Sequence, residues 1–261
     1  MSDILKTAAL QLDIIQGDKS GNIAEAENLI KSLPEGYDIA VLPEMFTTGF
    51  ICDPVMAASL AESNDGMTLT AIRKIAAGYK IAICGSFIAR DNDAVYNRAF
   101  FIEPSGDTYF YDKHHLFSIS GEDNAYRRGD SPIPRFRYRG WNIAMAVCFD
   151  VRFPAWLRNN DGAYDLLIIM ANWPDSRAYA WKHLLIARAI ENQAYVIGCN
   201  RTGEDSYGKY SGSSVIVDAK GRLIGEEQND KTIAASLSKE SLMSFRTKFP
   251  VLQESDRFDI I

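Results

Sequence analysis

Two periodicities divide the apolar positions of this chain. Residues 7–15 (TAALQLDII) form a nearly continuous apolar run, which reads as a buried strand. Over 21–33, the side chains Ile23, Ala26, Leu29, Ile30 and Leu33 recur at helical spacing, and Pro34 with Gly36 ends the helix. A short apolar run of strand length follows at 38–44 (DIAVLPE). Leu69, Ile72, Ile75 and Ala76 predict a second helix over 68–78, and 80–87 (KIAICGSF) reads as a strand. Residues 97–113 split into two β-rich runs around the turn Pro104–Ser105–Gly106–Asp107. The polar stretch 118–131 reads as a loop.

Beyond that loop, 140–148 (GWNIAMAVC) is a strand, and Pro154 can open a helix through AWLRNN, because a missing N–H costs nothing in a first turn. Residues 165–172 predict a strand, 177–192 a helix and 194–200 a strand. Residues 213–227 read as a hairpin around Ala219–Lys220–Gly221, and a last strand at 232–238 precedes a short helix. Helices alternate with fully apolar strands, so a mixed α/β fold is expected, with sheets covered by helices. No internal repeat, low-complexity stretch or linker-like segment interrupts the pattern, which favours one domain over 1–261.

Composition changes this picture little. Hydrophobic residues at 47% and charged residues at 24% are ordinary for a soluble chain of 261 residues with a sizeable core. A net charge of −6 argues against a nucleic-acid partner and favours a small molecule. The start, MSDILKTAALQLD, lacks the pattern of a signal peptide. No apolar run reaches the roughly 18 residues of a membrane span, so no membrane partner is expected. Cys52, Cys84, Cys148 and Cys199 form no CxxC pair and no zinc-like spacing, and a cytoplasmic setting is the simplest expectation.

Three strands end on groups that can do chemistry, and ligand sites of α/β sheets collect at the carboxyl ends of strands. Cys148 closes the run IAMAVC and leads into a turn. It is either a core cysteine or a thiol exposed at a strand end, where following N–H groups can lower its pKa or hold an oxyanion. Glu44 follows IAVLP and precedes Met45 and Phe46. It is either a carboxylate hydrogen-bonded at a strand end or a general base raised by desolvation. The third strand ends on Asn172 and Trp173. Lys113, at the end of YFYDK, is either a surface lysine or a fixed ammonium that stabilises charge on oxygen. The adjacent His114 and His115 point to opposite sides of an extended chain, so a shared metal shell is not expected there.

Together these segments resemble the nitrilase, or carbon–nitrogen hydrolase, superfamily. The likeness runs through AALQLD, LPEMFTTGF, YDKHHLF, VCFDVRFP, ANWP, ARAIENQAYVIGCNRTG and FPVLQESDRF, almost the whole chain. Glu44, Lys113 and Cys148 match the family's Glu–Lys–Cys triad in order, with gaps of 113 − 44 = 69 and 148 − 113 = 35 residues. The resemblance implies a four-layer αββα sandwich, commonly paired as a homodimer. It implies Cys148 as nucleophile, Glu44 as base, and Lys113 with the Phe149 N–H as oxyanion partners, with no metal or organic cofactor. It offers Glu122 as the family's second glutamate; the other reading of Glu122 is a solvated loop carboxylate. The CFDVRFP and ANWP segments look most like the omega-amidases, which deaminate 2-oxoglutaramate and 2-oxosuccinamate. Arg152 is then a candidate partner for the substrate carboxylate, or else part of a structural ion pair. Phe117 and Trp173 are candidate pocket walls, or else core packing. Phe149 stands where many relatives carry Tyr. Three rival readings remain: a hydrolase of another amide such as an N-carbamoyl compound, a Cys–His hydrolase using His183, and a non-catalytic binding protein.

Overall fold

The computed structural model describes residues 3–256, 258 and 259; Arg257 of the FPVLQESDRF segment lies outside them. In chain order the elements are β1 (Ile4–Leu10), α1 (Lys19–Ser32), β2 (Ile39–Val41), α2 (Pro54–Leu60), α3 (Met67–Tyr79), β3 (Ala82–Asp91), β4 (Ala94–Ile102), β5 (Thr108–Asp112) and α4 (Glu122–Ala125). Then come β6 (Arg135–Tyr138), β7 (Trp141–Val147), β8 (Leu166–Ala171), α5 (Ala178–Asn192), β9 (Tyr195–Asn200), β10 (Thr202–Asp205) and β11 (Gly208–Ser211). The last are β12 (Val215–Val217), β13 (Glu226–Asn229), β14 (Thr232–Ser238) and α6 (Lys239–Lys248).

The strands form a seven-stranded sheet, β13-β14-β1-β2-β3-β4-β5, a five-stranded sheet, β12-β9-β8-β7-β6, and the small hairpin β10-β11. Alternation along the strands shows how the layers stack, because successive side chains point to opposite faces. Leu5 and Ala9 of β1, Ala82 and Cys84 of β3, and Ala99 and Phe101 of β4 pack in one core with β7, β8 and β9 of the other sheet. Their neighbours Ala8, Leu10, Ile83, Phe100 and Ile102 pack in a separate core with Ile23, Ala26 and Ile30 of α1 and Leu69, Ile72 and Ala76 of α3. Trp181, Leu185 and Ala189 of α5 cover the second sheet. The order is therefore helix, sheet, sheet, helix, the αββα sandwich that the resemblance implies. The Cys199 thiol ties the two sheets together, reaching from β9 to the carbonyls of Leu10 (3.4 Å) and Val41 (3.2 Å).

Several sequence expectations are corrected. No helix runs from Pro154. The chain takes a 3₁₀ turn over Cys148–Arg152, and only isolated turn bonds follow, Leu157 N–H to the Phe153 carbonyl and Arg158 N–H to that of Ala155. Buried Asn159 then holds the backbone: its amide donates to the carbonyls of Tyr164 and Asn192 and accepts from Tyr164 N–H. A side chain that satisfies backbone groups in this way competes with helix formation. The hairpin read at 213–227 closes only at its turn, with a single bridge between Val217 and Leu223, after which β13 joins β14 in the larger sheet. The run at 7–15 is a strand only to Leu10. Leu12 and Ile14 beyond it are buried without joining the ladder, and an apolar run alone cannot mark that boundary. The strand at 38–44 shortens to Ile39–Val41, since Pro43 cannot donate to a ladder. The 118–131 segment is irregular except for a 3₁₀ turn at Ser118–Ser120 and the single turn α4.

Candidate active site

Four chain segments deliver polar groups to one end of the sandwich, between the sheets. β2 and β3 run parallel, β4 reverses, and β5 reverses again, so β2 and β5 end on the same side. Glu44 lies just past β2 and Lys113 just past β5. In the other sheet, β7 and β8 are parallel and end at Cys148 and Asn172.

Glu44, Lys113 and Glu122 are buried together, at 0%, 1% and 0% exposure. The Lys113 ammonium donates to Glu44 Oε1 at 2.9 Å and to both oxygens of Glu122 at 2.9 Å. Such a cluster loses its hydration on folding, so it survives only if the remaining acceptors find donors. They do. Asn97 Nδ2 donates to Glu44 Oε1 (2.8 Å) and to Glu122 Oε1 (3.3 Å). Asn172 N–H donates to Glu44 Oε2 (2.8 Å), and Phe117 N–H to Glu122 Oε2 (2.6 Å). Asn172 Nδ2 also donates to the Glu44 carbonyl (2.6 Å), so Glu44 is held by its backbone as well. Burial pulls the Lys113 ammonium down, but Glu122 and Glu44 outweigh it and leave its pKa well above the ordinary lysine value. Burial raises the Glu122 carboxyl; Lys113 counters this and Glu44 adds to it.

Cys148 sits on the turn after β7 with φ of 44°, in the left-handed region that costs a non-glycine residue of order 1–3 kcal/mol. Its neighbour Asp150 fixes that turn. The Asp150 carboxylate is fully buried and accepts from Val147 N–H (3.1 Å), Tyr111 OH (2.9 Å) and His115 N–H (3.0 Å). The His115 Nδ1 lies 2.8 Å from the same carboxylate. His115 therefore supports the turn, with its ring stacked on Phe153, and His114 stacks on Trp156. The Glu44 carboxylate and the Lys113 ammonium both act on the Cys148 thiol through their charges. Burial, then the Glu44 charge, push the thiol well above its ordinary pKa, with Lys113 opposing. Burial and the neighbouring carboxylate thus both favour the protonated thiol over the thiolate.

Cys148 and Lys113 line a cavity of about 440 Å³. Phe50, Phe117, Phe149, Trp173, Tyr207 and Tyr210 supply apolar walls, and Arg152 and Arg177, both exposed, open onto it. The structure brings together all eight site residues expected from the sequence. Arg152 makes no ion pair with a protein carboxylate among the described residues; its guanidinium lies 5.1 Å over the Trp173 ring. Phe117 and Trp173 are walls, and Trp173 also packs on Trp181 in the core. His183 is exposed on α5 and bonds the Tyr179 carbonyl, away from the cavity, so the Cys–His reading has no geometric basis.

Sequence reasoning missed Asn97, Arg177, Phe50 and the two tyrosines of the β10-β11 hairpin. Asn97 carried a signal: it shares strand parity with Ala99 and Phe101, which face the other sheet, so a polar side chain there had to meet a buried partner. The hairpin itself is fixed by buried Arg201, which donates to Asp205 (3.0 Å) and to the Ile14 carbonyl (2.8 Å) and lies over the Tyr210 ring. Among the described residues, no helix is long and apolar enough to cross a membrane, and no cluster of three or more His, Cys, Asp or Glu side chains is arranged to hold a metal ion.

Known proteins share both sequence and architecture with this chain. It is 40% identical over 258 residues to the omega-amidase YafV of Yersinia enterocolitica, covering 97% of this chain and 98% of that protein. It is 34% identical over 252 residues to the 2-oxoglutaramate amidase of Bacillus subtilis, covering 95% and 96%. Its fold matches the crystal structure of XC1258 from Xanthomonas campestris, a CN-hydrolase superfamily protein with an arsenic adduct in its active site, with a TM-score of 0.93, 34% identity and full coverage of both chains. The carbon–nitrogen hydrolase profile matches residues 6–247, which span every group of the buried cluster and the cavity. With that span matched, and with relatives this similar along nearly their whole lengths, the chain belongs to the carbon–nitrogen hydrolase family.

Proposed function

We propose that this chain is an omega-amidase, hydrolysing the ω-amide of 2-oxo dicarboxylate monoamides such as 2-oxoglutaramate and 2-oxosuccinamate to the 2-oxo acid and ammonia. One observation carries the reading: Cys148 and Lys113 line one end of a cavity that also bears Arg152, and Lys113 there holds the buried Glu44 carboxylate. The similarity to proteins named omega-amidase and 2-oxoglutaramate amidase supports it.

Glu44 takes the thiol proton as sulfur attacks the amide carbon, forming the C–S bond. The oxyanion is held by the Lys113 ammonium and the Phe149 N–H. Collapse breaks the C–N bond, and Glu44 passes the proton to the departing nitrogen, which leaves as ammonia. Water, deprotonated by Glu44, attacks the thioester; the C–S bond breaks, the carboxylic acid leaves and the thiol recovers its proton. Glu122 touches no reacting atom in this scheme. It holds Lys113 through both oxygens and fixes the Phe117 backbone. Arg152 receives the far carboxylate of the substrate.

The same reading takes 1–261 as one domain, working as a homodimer. A reducing cytoplasm suits its four free cysteines. The deciding assay is ammonia release from 2-oxoglutaramate, an N-carbamoyl amine and a simple nitrile, run on the native enzyme and on Cys148→Ala. Turnover of 2-oxoglutaramate that vanishes in Cys148→Ala is expected. Turnover of another substrate with none of 2-oxoglutaramate would overturn the assignment.

A further inference from the structure

Two guanidinium groups open onto the cavity, and only one of them is accounted for above. Arg152 leaves the turn that carries Cys148, and Arg177 ends the 3₁₀ turn Asp175–Arg177 after β8. They are placed alike. Arg152 lies 5.1 Å over the Trp173 ring and Arg177 lies 5.3 Å over the Phe117 ring. Neither has a carboxylate partner among the described residues, whereas Arg98, Arg188, Arg201 and Arg246 each hold one. The acid nearest Arg177 in sequence, Asp175, is already engaged by Ser211 N–H (2.8 Å) and Ser211 Oγ (2.7 Å).

The backbone under Arg177 is fixed, while its guanidinium has no carboxylate partner among the described residues. Trp173 N–H donates to Asn200 Oδ1 (2.7 Å), and the Trp173 indole donates to the Arg177 carbonyl (2.8 Å). A guanidinium resting on an aromatic face keeps its N–H edge available, with five donors in a rigid fork. Two like charges on one cavity repel, and an anionic ligand offsets that repulsion. A carboxylate has enough lone-pair sites for both forks. The inner end attracts a second carboxylate less, because the Lys113 charge is already offset by Glu44 and Glu122. An amide with an anionic tail is therefore oriented by charge, with its tail at the arginines and its amide at the thiol.

We propose that Arg177 is a second anion-recognition residue that, with Arg152, grips the terminal carboxylate of the substrate and makes the site select amides with an anionic far end. The proposal rests on the omega-amidase reading and names a specificity determinant within it.

Two measurements test it. In Arg177→Ala, the ratio of kcat/KM for 2-oxoglutaramate to kcat/KM for butanamide falls at least about ten-fold, the scale of one charge-assisted contact, and Arg177→Lys recovers part of it. A loss shared equally by both amides, leaving the ratio unchanged, would overturn the proposal, since it would mark a role in holding the turn. The second measurement needs no turnover. Calorimetric titration of Cys148→Ala with 2-oxoglutarate, the expected product, is compared with the same titration of the Cys148→Ala, Arg177→Ala double variant. A Kd weakened at least about ten-fold supports Arg177, and an equal Kd refutes it. A native enzyme inert to 2-oxoglutaramate but active on another amide would sink the omega-amidase reading alone, and the titration would still decide on Arg177.

Discussion

The two ends of the cavity treat charge in opposite ways. At the inner end, Glu44, Lys113 and Glu122 are buried, mutually paired and supplied with extra donors from Asn97, Asn172 and Phe117. At the outer end, Arg152 and Arg177 are exposed and rest on rings without a carboxylate among the described residues. The difference follows from what each end must do. Groups that stabilise a transition state work best when already oriented and dry, so that nothing reorganises during the reaction. Groups that recognise a ligand work best with their hydrogen-bonding capacity still open. On the proposed reading, paired charge marks the chemistry and unpaired charge marks the recognition.

This contrast can be broken by substitution. The largest effect belongs to the inner end. Glu44→Gln and Lys113→Ala each lower kcat by several orders of magnitude, as expected when groups that act as a unit are disrupted. Steady-state kinetics on samples confirmed folded by circular dichroism checks this, because losing one member of a buried ion cluster also destabilises by roughly 3–5 kcal/mol. Activity near the native level in either variant removes that residue from its role. An intermediate effect belongs to the outer end. Arg152→Ala raises KM for 2-oxoglutaramate by about 10–100-fold, with kcat changed far less, as expected for a lost charge-assisted contact. A collapse of kcat at constant KM would show that the two ends are not separable. The smallest effect lies outside the cavity. His183→Gln leaves kcat/KM within about two-fold, in line with an exposed surface change; near-total loss would revive a Cys–His mechanism.

The inner end was more legible in the sequence than the outer. Glu44, Lys113 and Cys148 each follow directly on an apolar or β-rich run, which is where α/β sheets present their ligands. Glu122 lies in a polar loop and was found only through family resemblance. Arg177 follows Trp173–Pro174–Asp175–Ser176, and nothing in its own neighbours announces that it turns toward a thiol 29 positions away (177 − 148). Long-range placement of that kind comes from sheet order, which periodicity does not encode. The missed helix α2 had a local signature, Asp53 capping Met56 N–H with Pro54 in the first turn, but only Ala57 of it is buried, so no apolar stripe drew notice. The 213–227 hairpin failed for the converse reason: its turn chemistry is real, but the return strand finds a better partner in β14.

Thiol and carboxylate arrive on different layers, Cys148 from the five-stranded sheet and Glu44 from the seven-stranded one. Slippage inside either layer is resisted by its own ladder of backbone bonds. Slippage between layers is resisted by interdigitated side chains and by the Cys199 thiol, which pins the carbonyl of Val41 three residues before Glu44. Any relative glide of the two layers translates directly into a gap between sulfur and oxygen. In the proposed mechanism, the mating surface of the sandwich thus acts as a mechanical gauge that sets how far a proton must travel.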